Sequence, residues 1–137
     1  MITLLTGKKG SGKTKKLIEL ANKAVDTSKG SVVVIEKGLK MTYDISHEAR
    51  LVDSDSFNIS GADELFGFVS GICAGNYDVT DILIDRTLKI IGADASELDH
   101  LVDNFKHLSE NSKVNLVFSV SAADEEIPSS LQEFILK

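Results

Sequence analysis

The chain has 137 residues, a formal net charge of −6 and a 42% hydrophobic content, enough for one core that buries about two thirds of the unfolded surface with no disulfide or structural metal. The acidic balance argues against a broad nucleic-acid or anionic-lipid surface, because those partners reward a basic face. One cysteine, no leader-like basic and apolar start, and no apolar run long enough to span a bilayer lead to the expectation of a single cytoplasmic domain, residues 1–137, with no membrane partner.

In chain order, Ile2 to Thr6 reads as a buried strand. Leu17, Leu20, Ala21, Ala24 and Val25 then follow the spacing of a helix with one buried face. Between them stands Gly7-Lys8-Lys9-Gly10-Ser11-Gly12-Lys13-Thr14, which fits G-x-x-x-x-G-K-[ST]. The pattern has a chemical reason. Its glycines let successive backbone N–H groups turn inward and cradle phosphate oxygens. Lys13 supplies a point charge for the β- and γ-phosphates, Thr14 a hydroxyl for Mg²⁺, and the helix that starts here the positive end of its dipole. Five of the fifteen basic residues, Lys8, Lys9, Lys13, Lys15 and Lys16, gather around this loop, with Lys15 and Lys16 read as a solvated helix face.

Ser31 to Glu36 is a second apolar, β-branched strand, entered by Lys29-Gly30 and left by Lys37-Gly38. From Leu39 to Ile59 the pattern weakens, and a short strand at Arg50 to Asp53 is its one readable element. Ser60-Gly61-Ala62-Asp63 has the form of a capping box before a helix bearing Leu65, Phe68, Val69, Ile72 and Cys73, stopped by Gly75-Asn76. Cys73 thereby reads as a small core residue. Ile82-Leu83-Ile84 is a third apolar strand run ending at Asp85. A turn at Gly92, a helix with Leu98, Leu101, Val102, Phe105 and Leu108 on one side, and a strand from Val114 to Val120 follow. After Pro128, Leu131, Phe134 and Ile135 show helical spacing.

Apolar strands alternating with helices imply an α/β fold, with a mainly parallel sheet of about five strands between two helical layers. Right-handed crossovers put all the strands' carboxyl ends on one edge, where ligands of such folds sit. The loop 7–14, Glu36, Asp85, Ser119 and Ser121 are expected to face one crevice there, with Val120 leaving room for only one of the two serines. Ser119 is the favoured one. Asp85, an aspartate after three aliphatic residues and downstream of the glycine loop, matches the Walker B pattern, with its carboxylate opposite Thr14 on Mg²⁺.

On these motifs the chain resembles the P-loop NTPase superfamily over nearly all of its length. The order of loop strand, Glu-ended strand, Walker B strand and polar-ended strand resembles the RecA-type ATPase core, including the twitching-motility (PilT) ATPases. The resemblance implies a three-layer αβα fold of RecA-like strand layout, ATP and Mg²⁺ as ligands, and ATP hydrolysis. Many ATPases of this group carry a glutamate directly after the Walker B aspartate, a position held here by Arg86. RecA-type and PilT-type cores carry it instead at the end of the strand after the first helix, which makes Glu36 the candidate base. The resemblance also places a γ-phosphate sensor at Ser119, and asks for a cation at the transition state, for which Arg50, Arg86 and Lys37 are available. If none acts in cis, turnover depends on a second copy of the chain or another protein partner.

Two alternatives stand beside the ATPase. One is a nucleoside-kinase-like phosphotransferase, since thymidine kinases share much of this layout but have a Walker B glutamate and zinc-binding cysteines not found here. The other is a nucleotide-binding module with little or no turnover, for which Arg86 after Asp85 is the argument. No N-K-x-D motif marks guanine, so ATP is the default nucleotide and GTP stays open. The three histidines and Tyr43 and Tyr77 carry no metal or catalytic spacing and read as ordinary loop or helix-surface residues.

Overall fold

The computed structural model describes residues 1–41 and 43–136; Thr42, in the weakly patterned stretch, and Lys137 lie outside the described residues. Five strands, β1 (Ile2–Leu5), β2 (Ser31–Glu36), β3 (Arg50–Asp53), β4 (Val79–Ile84) and β5 (Asn115–Ser119), form one sheet in the order β1-β5-β4-β2-β3. Every pairing between them is parallel. The helices are α1 (Lys13–Thr27), α2 (Ala62–Gly75), α3 (Thr87–Ile91) and α4 (Leu98–Ser112). This is the three-layer αβα arrangement that the alternation of apolar strands and helices leads one to expect.

The strands are apolar along their length because both sheet faces are covered, and their alternation divides the core in two. Val32, Val34 and Leu83 turn to one face and pack with Leu17 and Ala21 of α1, joined by Met41 and Ile45. Val33, Ile35, Ile82 and Ile84 turn to the other face and pack with Leu65 and Val69 of α2 and Leu98, Leu101, Val102 and Phe105 of α4. Phe105 meets both Phe66 and Phe118 edge to face, at centroid distances of 5.2 and 5.1 Å. Cys73 is buried in this second layer as a core residue.

Several boundaries differ from the sequence reading. β4 begins at Val79, three residues before the aliphatic run, because Ser31 pairs with Val79 and draws the polar start of the strand into the ladder. A short helix, Thr87–Ile91, intervenes between Asp85 and Gly92. Ser60 does not cap α2. The N-cap is Gly61, and Ser60 instead donates its own N–H to Glu64 at 2.9 Å, one position beyond the expected Asp63. The tail forms a 3₁₀ turn over Ser129–Phe134 and then runs beside β1, where Leu136 N–H donates to the Leu4 carbonyl at 2.9 Å.

Gly30, at the entry to β2, is required by a close approach. A Cβ on it would lie 1.9 Å from the carbonyl oxygen of Asp78, which already accepts the Ser31 N–H at 2.9 Å. Gly30→Ala must displace that backbone, so a loss of about 1–3 kcal/mol is expected in urea denaturation.

Candidate functional site

The register sets where the strands stop. Leu5 of β1 is level with Ser119 of β5, Ile84 of β4 with both Phe118 and Ile35, and Glu36 with Asp53 of β3. The next residue of β4, Asp85, keeps the ladder one step further by donating its N–H to the Ile35 carbonyl at 2.8 Å. Glu36, Asp85 and Ser119 therefore end their strands at one level, beside the loop that leaves β1.

That loop is shaped by its glycines. Gly7, Gly10 and Gly12 have φ of 132°, 89° and 91°, a region closed to most side chains. At Gly7 a Cβ would also lie 2.4 Å from Ser11 Oγ. Gly7 N–H donates to the Ala122 carbonyl at 2.8 Å and Ser11 N–H to Lys8 at 3.0 Å, while Thr6 bonds Asp124, tying the loop to the chain after β5. Gly12 is the N-cap of α1 and has no side-chain cap, so the helix's first N–H groups remain available to an anion.

A cavity of about 550 Å³ opens in front of this loop. It is lined by Lys9, Gly10, Gly12, Lys13, Thr14 and Lys15 of the loop and α1, by Asp85, Arg86 and Lys89 after β4, by Ser119 and Ser121 after β5, and by Lys40. Both serines line it. Ser119 is buried and Ser121 exposed, and the strand ends at Ser119, so the alternation that would have excluded one of them no longer holds. Lys15 also borders the cavity, while Lys16 lies 3.8 Å from Glu19 and borders a smaller recess of about 260 Å³ with Ser11 and Leu136. Gly7 and Lys8 shape the loop from behind, Lys8 by offering its carbonyl to Lys13 Nζ at 3.1 Å.

Lys13 and Asp85 are within electrostatic reach. Burial lowers the Lys13 pKa, and the Asp85 carboxylate opposes that shift. Asp85 itself is buried, and its Oδ1 has no hydrogen-bond partner. An orphaned buried carboxylate oxygen is costly unless something pairs with it, and a hard cation is a fitting partner. Among the described residues no group of three or more His, Cys, Asp or Glu gathers around a metal position. One carboxylate plus the Thr14 hydroxyl suits Mg²⁺, which takes few protein ligands and completes its shell with phosphate oxygens and water.

Glu36 is buried but is not part of the cavity wall. Its Oε1 accepts the N–H of Met41 at 3.3 Å and the N–H of Lys40, so that the chain after β2 curls back over the strand end. Burial raises the Glu36 pKa and the nearby Asp85 raises it further, against the lowering effect of the Lys40 and Met41 amides and of Arg86.

The cation candidates separate. Arg50 opens a parallel strand, so it stands at the amino edge of the sheet, where it borders another cavity of about 390 Å³ with Val52, Phe57 and Phe68. Lys37 is paired with Asp55 at 2.6 Å. Arg86, in the left-handed region at φ 51°, does line the phosphate cavity. Lys40 and Lys89 line it too, and sequence reasoning passed over both. The only signal for Lys40 was its closeness to a strand that ends at the site.

A scan of protein-family models finds no match, and a search of curated protein sequences finds none either. Among solved structures, the flagellar accessory protein FlaH from Methanocaldococcus jannaschii superimposes with a TM-score of 0.64 at 19% sequence identity, covering 96% of this chain and 65% of that one. The fold is RecA-like. At this identity the likeness speaks for the fold alone, and the chain spans somewhat less than two thirds of that neighbour's length. No helix among the described residues is long and apolar enough to cross a membrane.

The raised pKa of Glu36 has a consequence for stability in the absence of nucleotide. A folded-state pKa above the unfolded one means that the folded chain holds its proton longer, so this group's stability contribution is full below the unfolded pKa and falls as pH rises through the folded one. Gln keeps the acceptor oxygen and loses the charge. E36Q is therefore expected to melt higher than the wild type at pH 7, by a margin that shrinks toward pH 4; an equal margin at both values would contradict this.

Proposed function

We propose that this chain is one nucleotide-binding domain, residues 1–137, that takes ATP with Mg²⁺ and hydrolyses it to ADP and phosphate. The observation that carries the reading is the pairing of an α1 N-terminus of glycine-rich backbone with Asp85, a buried carboxylate that lines the same cavity and has an unpartnered Oδ1. In this reading the amides of residues 7–14 and Lys13 hold the phosphates, Thr14 and Asp85 hold the metal, Ser119 senses the terminal phosphate, and Glu36, buried behind the cavity wall at the level of Asp85, is the base for the attacking water. Bound Mg²⁺ would neutralise charge on the phosphate oxygens as the terminal phosphoryl group departs. The chain's own part is to fix the triphosphate against the loop and to keep water on one side of it.

The frame is a RecA-type core. Nothing in the site favours the pilus-motor branch of that group, and the flagellar role in the neighbour's name is not carried over. The default nucleotide is ATP, and the site is placed in the cytoplasm, where that nucleotide is abundant. One observation favours a module with little turnover. Arg86 holds the position after Asp85 in a left-handed conformation that costs about 1 kcal/mol for a non-glycine residue, which puts a cation where related sites put a second carboxylate.

Two measurements test these statements. With Mg²⁺ and ATP near a hundred times the dissociation constant, the wild type gains about 2.7 kcal/mol, a rise of about 5–10 °C in melting temperature. Lys13→Ala is expected to show little of that rise, and a wild type that does not shift with ATP or GTP overturns the binding claim. Phosphate release then separates turnover from binding. E36Q, which keeps the acceptor for the Lys40 and Met41 amides, should retain the ATP-dependent melting shift while phosphate release falls at least a hundredfold. Release at the wild-type rate removes Glu36 from the role of base, and no release by the wild type favours the binding module.

A further inference from the structure

The segment after β2 is fixed on both flanks although its sequence has no regular pattern. Glu36 accepts the N–H groups of Lys40 and Met41, and Asp53, at the end of the neighbouring strand, accepts the Gly38 N–H at 2.7 Å. Lys37 is paired with Asp55 at 2.6 Å, and the Met41 side chain is 2% exposed within the α1-facing core. Five attachments over residues 37–41 hold the backbone that carries Lys40. That turn brings Lys40 to the wall of the same cavity that Lys13 and Thr14 line.

The strand order gives the cavity a direction. The phosphate loop leaves β1, Ser119 ends β5, Asp85 ends β4, and Lys40 follows β2, so that the loop and Lys40 stand at opposite ends of the row. Were the inner phosphates of a nucleotide held by the loop, with Thr14 and Asp85 as the residues that would hold its cation, the β2 end of the cavity would be left for the last phosphate. We infer that Lys40 is a resident cation for the terminal phosphate of a bound nucleoside triphosphate, supplied in cis by the turn that Glu36 and Asp53 hold. This deepens the nucleotide reading above and rests on it. Of the other cations, Lys37 is already paired and Arg50 lies at the far edge of the sheet, while Arg86 and Lys89 border the cavity after β4, beside the metal carboxylate Asp85 rather than after β2.

A cation that touches only the last phosphate discriminates triphosphate from diphosphate. The test is calorimetric titration of the full chain with Mg²⁺ and either ADP or the non-hydrolysable β,γ-imido analogue of ATP. Lys40→Ala is expected to weaken the analogue about tenfold and leave ADP within twofold, whereas Lys40→Arg keeps most of the wild-type preference and Lys13→Ala weakens both ligands. An unchanged preference in Lys40→Ala, or an equal loss for both ligands, overturns the assignment while the nucleotide reading stands. A wild type that binds neither ligand overturns both. Melting without nucleotide checks the fold; should Lys40→Ala melt lower than the wild type, Lys40→Met, which keeps the aliphatic stem, is put through the same titrations and judged by the same outcomes.

Discussion

The parallel register between β1, β5, β4 and β2 is the constraint on which the site depends. Leu5 is level with Ser119, and Phe118 is level with Ile84, which is in turn level with Ile35. Because all the strands run the same way, Ser119, Asp85 and Glu36 come at the same height at the carboxyl ends of β5, β4 and β2. A slip of one residue in any pair would turn its side chains to the opposite face, sending Ile84 toward α1 and Asp85 away from the loop. The two core layers prevent that slip, since Val33 and Ile35 fit only against α2 and α4, and Val32 and Val34 only against α1.

Charge is arranged around this level in a way that the total conceals. The chain is acidic as a whole, yet Lys9, Lys13, Lys15, Lys40, Arg86 and Lys89 border one cavity with Asp85 as its one acidic lining residue. Such a cavity suits a polyanion that brings a cation with it. The acidic residues around the turn after β2 are occupied. Glu36 and Asp53 accept backbone N–H groups of the 37–41 turn, and Asp55 pairs with Lys37. Those carboxylates organise the wall of the cavity and leave its interior positive.

Glu36 joins these two themes. Its position at the end of β2 follows from the strand, but one of its oxygens is committed to the turn, and burial and Asp85 both act to keep its proton on. Under the proposed function, that raised pKa suits the group to accept a proton from water. The same carboxyl holds the Lys40 and Met41 amides, so a substitution that removes the acceptor disturbs the turn as well as the charge, whereas Gln keeps the acceptor and removes only the charge.

The sequence by itself determined the loop 7–14, the four main strands, the three long helices, the αβα class and the candidacy of Asp85. Each of these is written in local signals: glycine and lysine spacing, β-branched runs, and apolar residues at helical intervals. Even Arg50–Asp53 was legible, as a short run amid polar residues. Only the tertiary structure decided which cations border the cavity. Lys37 and Lys40 are indistinguishable as letters, and they part because Asp55 holds the first while the curl onto Glu36 carries the second to the cavity. Arg50 was a candidate until the direction of β3 placed it at the opposite edge. These outcomes depend on contacts between residues far apart in the chain and on strand direction, neither of which a local pattern encodes.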